Sequence, residues 1–359
     1  MRTLLGAVGL ALTVPLTLAA PASSQAASVT DPATWKWQKD RVDDTQSFRG
    51  LDAVNRRTAW IAGENATDDG GKGTVYRTTD GGETWKDVSP DVEAKLIYRD
   101  VEATSAKVAS VLAIGPGKKS RIYRTSNGGQ TWTKTFQNED KAAFYDCLDF
   151  YPGGKKGLAM SDPVDGKFRV LRTKDHGRSW KVVNGAGMPA AVDGEFGFAA
   201  SGTCLTITGR DAYIASGGAA SRVFHSDDSG RTWEVTDSPI PATDAGGVFS
   251  LAFKEPGLGV IVGGDFEAPD NGVDASGWTR NGTSFKPGGD LGGYRSGADW
   301  VNGTRRTFVS TGPTGSDVST DGGRTWSTWS RTGYHSVVCV PTVCWASGAD
   351  GRVARVATQ

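Results

Sequence analysis

Apolar and polar residues alternate along this chain in short runs, and turn-forming residues interrupt the runs every few positions. Four such runs make up the first repeat: FRGLDAV at 48–54, TAWIAGE at 58–64, GTVYRT at 73–78 and TWKDV at 84–88. Each is rich in β-branched or aromatic residues, and Gly, Asn or Asp separates it from the next. The pattern predicts short strands joined by tight turns. The 49 glycines and 12 tryptophans among 359 residues, with no long run of helix formers, fit the same all-β reading.

One phrase returns at the end of each repeat. It reads RTTDGGETW at 77–85, RTSNGGQTW at 124–132, RTKDHGRSW at 172–180, HSDDSGRTW at 225–233 and VSTDGGRTW at 318–326. A shortened copy, TRNGTSF, stands at 279–285. The full copies share Ser/Thr-x-Asp/Asn-x-Gly-x-Thr/Ser-Trp, carried by the pairs Asp80 and Trp85, Asn127 and Trp132, Asp175 and Trp180, Asp228 and Trp233, and Asp321 and Trp326. The closing aromatics fall at 85, 132, 180, 233, 285 and 326, a spacing of 41 to 53 residues. A period of that length with four strands per repeat indicates propeller blades. The phrase lies between the third and fourth strands, so it reads as a joint. The carboxylate or amide accepts turn N–H groups, Gly supplies positive φ, and Trp buries apolar area between blades. The phrase has too few acidic ligands for a calcium loop.

Six aromatic-ended hairpins give six blades. GYHSVVCV, VCWASGA and GRVARV then supply three strands of a seventh, and TWKWQKD at 34–40 is expected to return as its fourth. The expected fold is a seven-bladed β-propeller of four-stranded blades, closed by strand 34–40 so that no sheet edge is left open at the seam.

The first residues read as an export signal. Arg2 precedes an apolar run from Leu4 to Leu18, and small residues follow, with a cut expected near Ala26. This divides the chain into a leader at 1–26, a linker at 27–33 and one propeller domain at 34–359. A secreted protein without stable membrane insertion is expected, because no later run is long and apolar enough to span a bilayer. Four cysteines suit an oxidising compartment. Cys339 and Cys344 flank a hairpin turn and are expected to pair; Cys147 and Cys204 either pair or remain two buried thiols. With three histidines and no ligand cluster, no metal and no cofactor are expected. Forty basic residues balance forty acidic ones, which gives no pointer to nucleic acid.

The repeated phrases are Asp boxes, and the chain resembles the BNR/Asp-box propeller superfamily over nearly its whole mature length. FRGLDAVNRRTAWIAGE followed by GTVYRTTDGGETW is most similar to the photosystem II stability/assembly factor family and its exported bacterial relatives. That resemblance implies a seven-bladed, monomeric module that binds proteins. The wider superfamily also includes sialidases and sortilin-type receptors.

First strands line a propeller's central channel. Aligning them places an aromatic before a variable residue: Phe48-Arg49, Tyr98-Arg99, Tyr145-Asp146, Phe198-Ala199, Phe249-Ser250, Tyr294-Arg295 and Tyr334-His335. Arg295, His335, Arg49 and Arg99 then form a basic arc, facing Asp146 and Glu195. Such an arc suits an unknown protein partner or a small acidic ligand. The alternative is that these charges only stiffen the channel by pairing with one another or with Asp52, Asp100, Glu102 and Asp149 nearby. An enzymatic alternative is a sialidase-like glycoside hydrolase, in which Arg49, Arg99 and Arg295 would hold a carboxylate and Tyr294 or Tyr334 would attack. Gly50 and Leu51 stand where that family's motif has Ile and Pro, and sialidases have six blades.

Overall fold

The computed structural model describes Met1 and residues 31–67 and 71–359. The expected leader and most of the linker lie outside the described residues. Those residues form seven antiparallel sheets arranged as a seven-bladed propeller. Blade 1 runs outward from the channel through Gln46–Ala53, Ala59–Asn65, Val75–Thr78 and Lys86–Asp87. These are the four runs read from the sequence, each shifted by no more than two residues. The other inner strands are Ile97–Ser105, Tyr145–Phe150, Leu205–Thr208, Gly246–Glu255, Gly297–Trp300 and Ser336–Val340.

The seam closes as expected, with a shift. Gln38–Arg41 pairs with the last strand, Gln38 opposite Arg355 and Arg41 opposite Arg352. The strand starts later than residue 34 because Asp31 caps a turn at Pro32–Thr34, accepting from the Ala33 amide at 3.0 Å. The two tryptophans before the strand pack instead of pairing. Trp37 lies 4.8 Å from Trp329 and 5.3 Å from Tyr334, and its indole donates to Ser316 at 3.2 Å. The N-terminal segment thus holds the ring through strand pairing and through buried aromatic area.

Each repeated phrase builds the same turn. In blade 1 the Thr78 hydroxyl donates to Asp80 at 2.8 Å and accepts from the Gly82 amide at 2.9 Å. Asp80 also accepts the Thr84 amide at 3.0 Å and the Thr84 hydroxyl at 2.5 Å. Asp175, Asp228 and Asp321 repeat these bonds to Ser179, Thr232 and Thr325. Asn127 keeps the amide bond but donates its Nδ2 to Thr131, so a neutral side chain serves equally. The shortened copy forms the turn too, with Asn281 accepting the Ser284 amide at 3.0 Å. The Thr84 hydroxyl and amide hold the Asp80 carboxyl well below its usual range. The closing tryptophans meet the preceding blade, Trp85 edge-on to Trp345 at 6.0 Å and Trp132 to Trp60 at 6.1 Å. Trp180 and Trp233 are buried, whereas Trp85, Trp132 and Trp326 are only half-buried.

Blade 4 departs from the alignment. Phe198 and Ala199 precede its inner strand, which begins only at Leu205. Gly202 intervenes at φ +82°, and a Cβ there would lie 2.4 Å from Asp100 Oδ1, so this close approach to blade 2 requires glycine. Upstream, Glu195–Phe196 pairs with Gly217–Gly218, which continues onto blade 5. Both cysteine pairs are bonded. Cys147–Cys204 ties the inner strands of blades 3 and 4, and Cys339–Cys344 spans the first hairpin of blade 7.

The turn geometry makes Thr78 a mechanical residue. Thr78→Val keeps its shape but leaves the Gly82 amide without its acceptor. We expect a loss of about 1–3 kcal/mol, read from urea denaturation. A loss below about 0.3 kcal/mol would show that the hydroxyl carries no part of the turn.

Candidate functional site

The inner strands share a device that aims side chains at the channel mouth. In blade 1, Phe48 faces Gly63 and Gly50 faces Ala62, so Arg49 bulges out of register. The same irregularity falls at Arg99, at Asp146 and at Phe249. A bulge frees one residue from the ladder and redirects its side chain. The preceding residue packs between blades, as Phe48, Tyr98, Tyr145 and Tyr334 do.

Register between blades fixes the remaining positions. The Phe48 amide donates to Gly348 of the blade before it, and the Tyr334 amide likewise to Gly312. In blade 5 the equivalent amide belongs to Val248 and in blade 6 to Arg295. The aromatic alignment is therefore one residue out in both blades. Phe249 stands at the mouth instead of Ser250, and Ser296 instead of Arg295.

This offset removes Arg295 from the basic arc. Its side chain fills the slot that an aromatic fills elsewhere and is fully buried. Nε donates to Asp317 at 2.5 Å, and Nη1 donates to Thr314 and to the Tyr294 carbonyl, both at 3.0 Å. Asp317 is completed by the Thr328 hydroxyl and the Gly292 amide. The pair is a buried joint in blade 6. Glu195 is also a joint. Its buried carboxylate takes the Arg222 guanidinium, the Ser216 hydroxyl and the Val192 amide. Asp146 is buried beside Asp162, and burial and that neighbour push its carboxyl up; its Oδ2 has no hydrogen bond among the described residues. Asp146 and Glu195 therefore form no common acidic patch.

Arg49, Arg99 and His335 do come together, joined by Tyr294. Arg49 reaches the Ala200 carbonyl and Arg99 the Ala199 carbonyl, each at a long 3.4 Å. Arg99 also pairs with Glu64 at 2.8 Å. Burial and the Arg49 charge lower the Arg99 pKa to about 10, only partly opposed by Glu64. Both Nε groups are buried without a hydrogen-bond partner among the described residues. His335 is held well below its ordinary value by burial, Arg49, Arg99 and Arg352, so it is neutral at pH 7, and its Nδ1 is also unpartnered. Burial raises the Tyr294 hydroxyl, and the charges bearing on it are those of the two arginines. This phenol stays protonated at neutral pH. Beside these donors lies an aromatic shelf that the sequence reading missed. Phe198 stacks on Phe249 at 3.7 Å, Tyr294 meets Phe249 at 4.6 Å, and half-exposed Phe266 abuts both phenylalanines.

Deeper in the channel the acidic residues do not pair with the arginines. Asp52, Asp149 and Asp299 stand at equivalent positions and stitch neighbouring blades. Each accepts an amide of the next inner strand: Ala103 at 2.6 Å, Ile207 at 2.5 Å and Cys339 at 2.7 Å. Asp100 accepts Leu148 at 2.6 Å in the same way. Burial raises Asp52 to about 6 and Asp149 and Asp299 to about 7. Asp100 and Glu102 are raised as well, first by burial and then by the other carboxylates.

Comparison with known proteins supports the fold. A family model described as Sortilin, neurotensin receptor 3, matches residues 73–188, under half of the chain. No curated protein matches. Among solved structures, YCF48 bound to a D1 peptide is similar at TM-score 0.62 and 16% identity, over 95% of this chain and 100% of that one. YCF48 from Cyanidioschyzon merolae gives 0.59 and 16%, over 89% and 98%. A catalytically inactive virginiamycin B lyase from Staphylococcus aureus gives 0.61 and 10%, over 90% and 99%. At these identities the likeness is one of fold, shared by a peptide-bound protein and an enzyme alike.

The raised carboxylates set a pH dependence. The folded state holds their protons up to about pH 6–7, while the unfolded chain releases them near 3.8. Their contribution is full below the unfolded value and is lost as pH rises through the folded ones. Neutral His335 acts oppositely, but only below its ordinary 6.5 and as a single group. Stability in urea should therefore fall between pH 6.5 and 8, and Asp299→Asn should flatten the slope. A rise over that interval would contradict the burial argument.

Proposed function

We propose that this chain is an exported, monomeric binding module of the Asp-box propeller type, cut near Ala26. Its channel mouth takes an acidic group of a protein partner or small ligand through Arg49 and Arg99. The observation that carries this reading is the adjacent pair of largely buried guanidiniums whose Nε groups have no partner among the described residues, with one carboxylate, Glu64, paired to Arg99 and none to Arg49. Two like charges brought together out of water favour a bound anion. Neutral His335 and protonated Tyr294 add hydrogen-bonding capacity without adding charge.

The hydrolase alternative has less support. Its arginine triad lacks a member, since Arg295 is spent on Asp317. Its nucleophile would be a phenol raised by burial, Tyr294, or Tyr334 at about 12. The peptide-bound YCF48 fold favours the binding reading by analogy alone.

Titration with sulfate, N-acetylneuraminate and the dipeptide Glu-Glu, followed by calorimetry, tests the site. Saturable binding that weakens at least about tenfold in Arg49→Ala/Arg99→Ala, and weakens with added salt, is expected. No binding of any of the three would remove the mouth as a ligand site. Turnover of a glycoside panel that is lost in the same variant would replace the binding reading with the hydrolase one.

A further inference from the structure

A second site lies away from the channel, along the outer edge of blade 3 where it meets blade 4. Two neighbouring cavities of about 340 and 550 Å³ share Val182, Val183, Asn184 and Arg231 and so form one groove. The groove follows the outermost strand of blade 3, Lys181–Val182, from the turn at Val164–Lys167 to the turn at Asp175–Ser179.

Its two parts differ in chemistry. The smaller cavity has an apolar floor of Phe168, Val170, Met188 and Trp233, all at least nine-tenths buried. The larger is walled by cations: Arg172, Lys174, Lys181 and Arg231. None of these four pairs with a carboxylate among the described residues, and buried Nη1 of Arg172 has no hydrogen bond at all. The carboxylate in that wall, Asp175, is occupied by its own turn. Burial alone would raise it, but bonds from Ser179 and Thr173 hold it at about 2. In a chain of net charge zero, this groove is a local excess of positive charge.

We propose that the groove binds an extended acidic segment of a partner polypeptide. Three observations favour a peptide over another polyanion. The Lys181–Val182 strand is the edge of its sheet, so its outer side offers backbone groups to an added strand. Val182 is 56% exposed on that edge, an apolar contact that a sugar or phosphate chain would not need. The 340 Å³ cavity beside it accepts one apolar side chain, while carboxylates at alternate positions would meet the four cations. The site is independent of Arg49 and Arg99.

The test uses the full described chain and a fluorescein-labelled dodecapeptide of alternating Glu and Leu. The peptide is blocked at both ends, and every protein carries Arg49→Ala/Arg99→Ala so that no carboxylate of the peptide is held at the channel mouth. Anisotropy should show saturable binding with a Kd below about 100 μM at physiological salt. Binding should weaken at least about tenfold in Lys181→Glu/Arg231→Glu, whose sites are exposed, and in Val182→Glu. A Lys-Leu peptide should not bind. Absence of saturation, or equal binding by the groove variants, overturns the proposal. So does tighter binding of a heparin-derived pentasaccharide, which would make the groove a polysaccharide site.

Discussion

The channel of this propeller is where buried backbone from seven blades converges, and every buried amide there needs a partner. Neighbouring inner strands are too splayed to form a continuous ladder, so side chains must bridge them. Asp52, Asp149 and Asp299 do so at three junctions, Asp100 at another level, and Ser250 through the Ala298 amide. Carboxylates suit this role because one oxygen can hold the residue's own strand and the other the next blade. The cost is enclosure of several acids near one another, and their raised pKa values record it. The disulfide Cys147–Cys204 occupies a junction between blades 3 and 4 and fixes it covalently.

That constraint separates joints from sites. Arg295 and Glu195 are charged, buried and near the channel, which makes them attractive as ligand groups. Glu195 is held by Arg222 and Ser216, and Arg295 by Asp317, Thr314 and the Tyr294 carbonyl; Nη2 of Arg295 has no hydrogen bond among the described residues, but its side chain is fully enclosed in blade 6. The carboxylates of the repeated turns are likewise held, on the outer hairpins. Arg49, Arg99 and His335 differ because their unmatched nitrogens lie near one another, and both arginines stay partly exposed where Arg295 is fully enclosed. An unmatched buried polar atom at a mouth is a stronger pointer to function than charge alone.

The sequence made the architecture legible because its signal was repeated. Six aromatic-ended hairpins and the TWKWQKD segment lead to seven blades and the closing strand, and the turn chemistry follows from Thr78, Asp80 and Gly82 themselves. The site was legible only in part. Aromatic-before-variable alignment is correct where a bulge follows the aromatic, as at Arg49 and Arg99. It fails at Phe249 and Arg295, where the inter-blade hydrogen bonds begin one residue away from the alignment's guess. A single-residue slip exchanges a channel side chain for an inter-blade one, because neighbouring side chains along a strand point to opposite faces. In blade 6, the companion of Arg295 is Asp317, on the third strand, and nothing in local spacing announces that pair.

The groove on blade 3 was not legible at all, for a related reason. Arg172, Lys174 and Lys181 lie in or next to one copy of the repeated phrase, while Arg231 belongs to the next, and in sequence each reads as ordinary solvated charge. Only the packing of blade 4 against blade 3 brings Arg231 to Lys181 and places Trp233 under the apolar cavity. A net charge of zero conceals this asymmetry, since the acids are drawn inward to stitch the channel while many of the bases stay outside. The internal use of carboxylates as interblade bridges therefore shapes the outer surface too. At the junction of blades 3 and 4 it leaves cations uncompensated beside an apolar cavity.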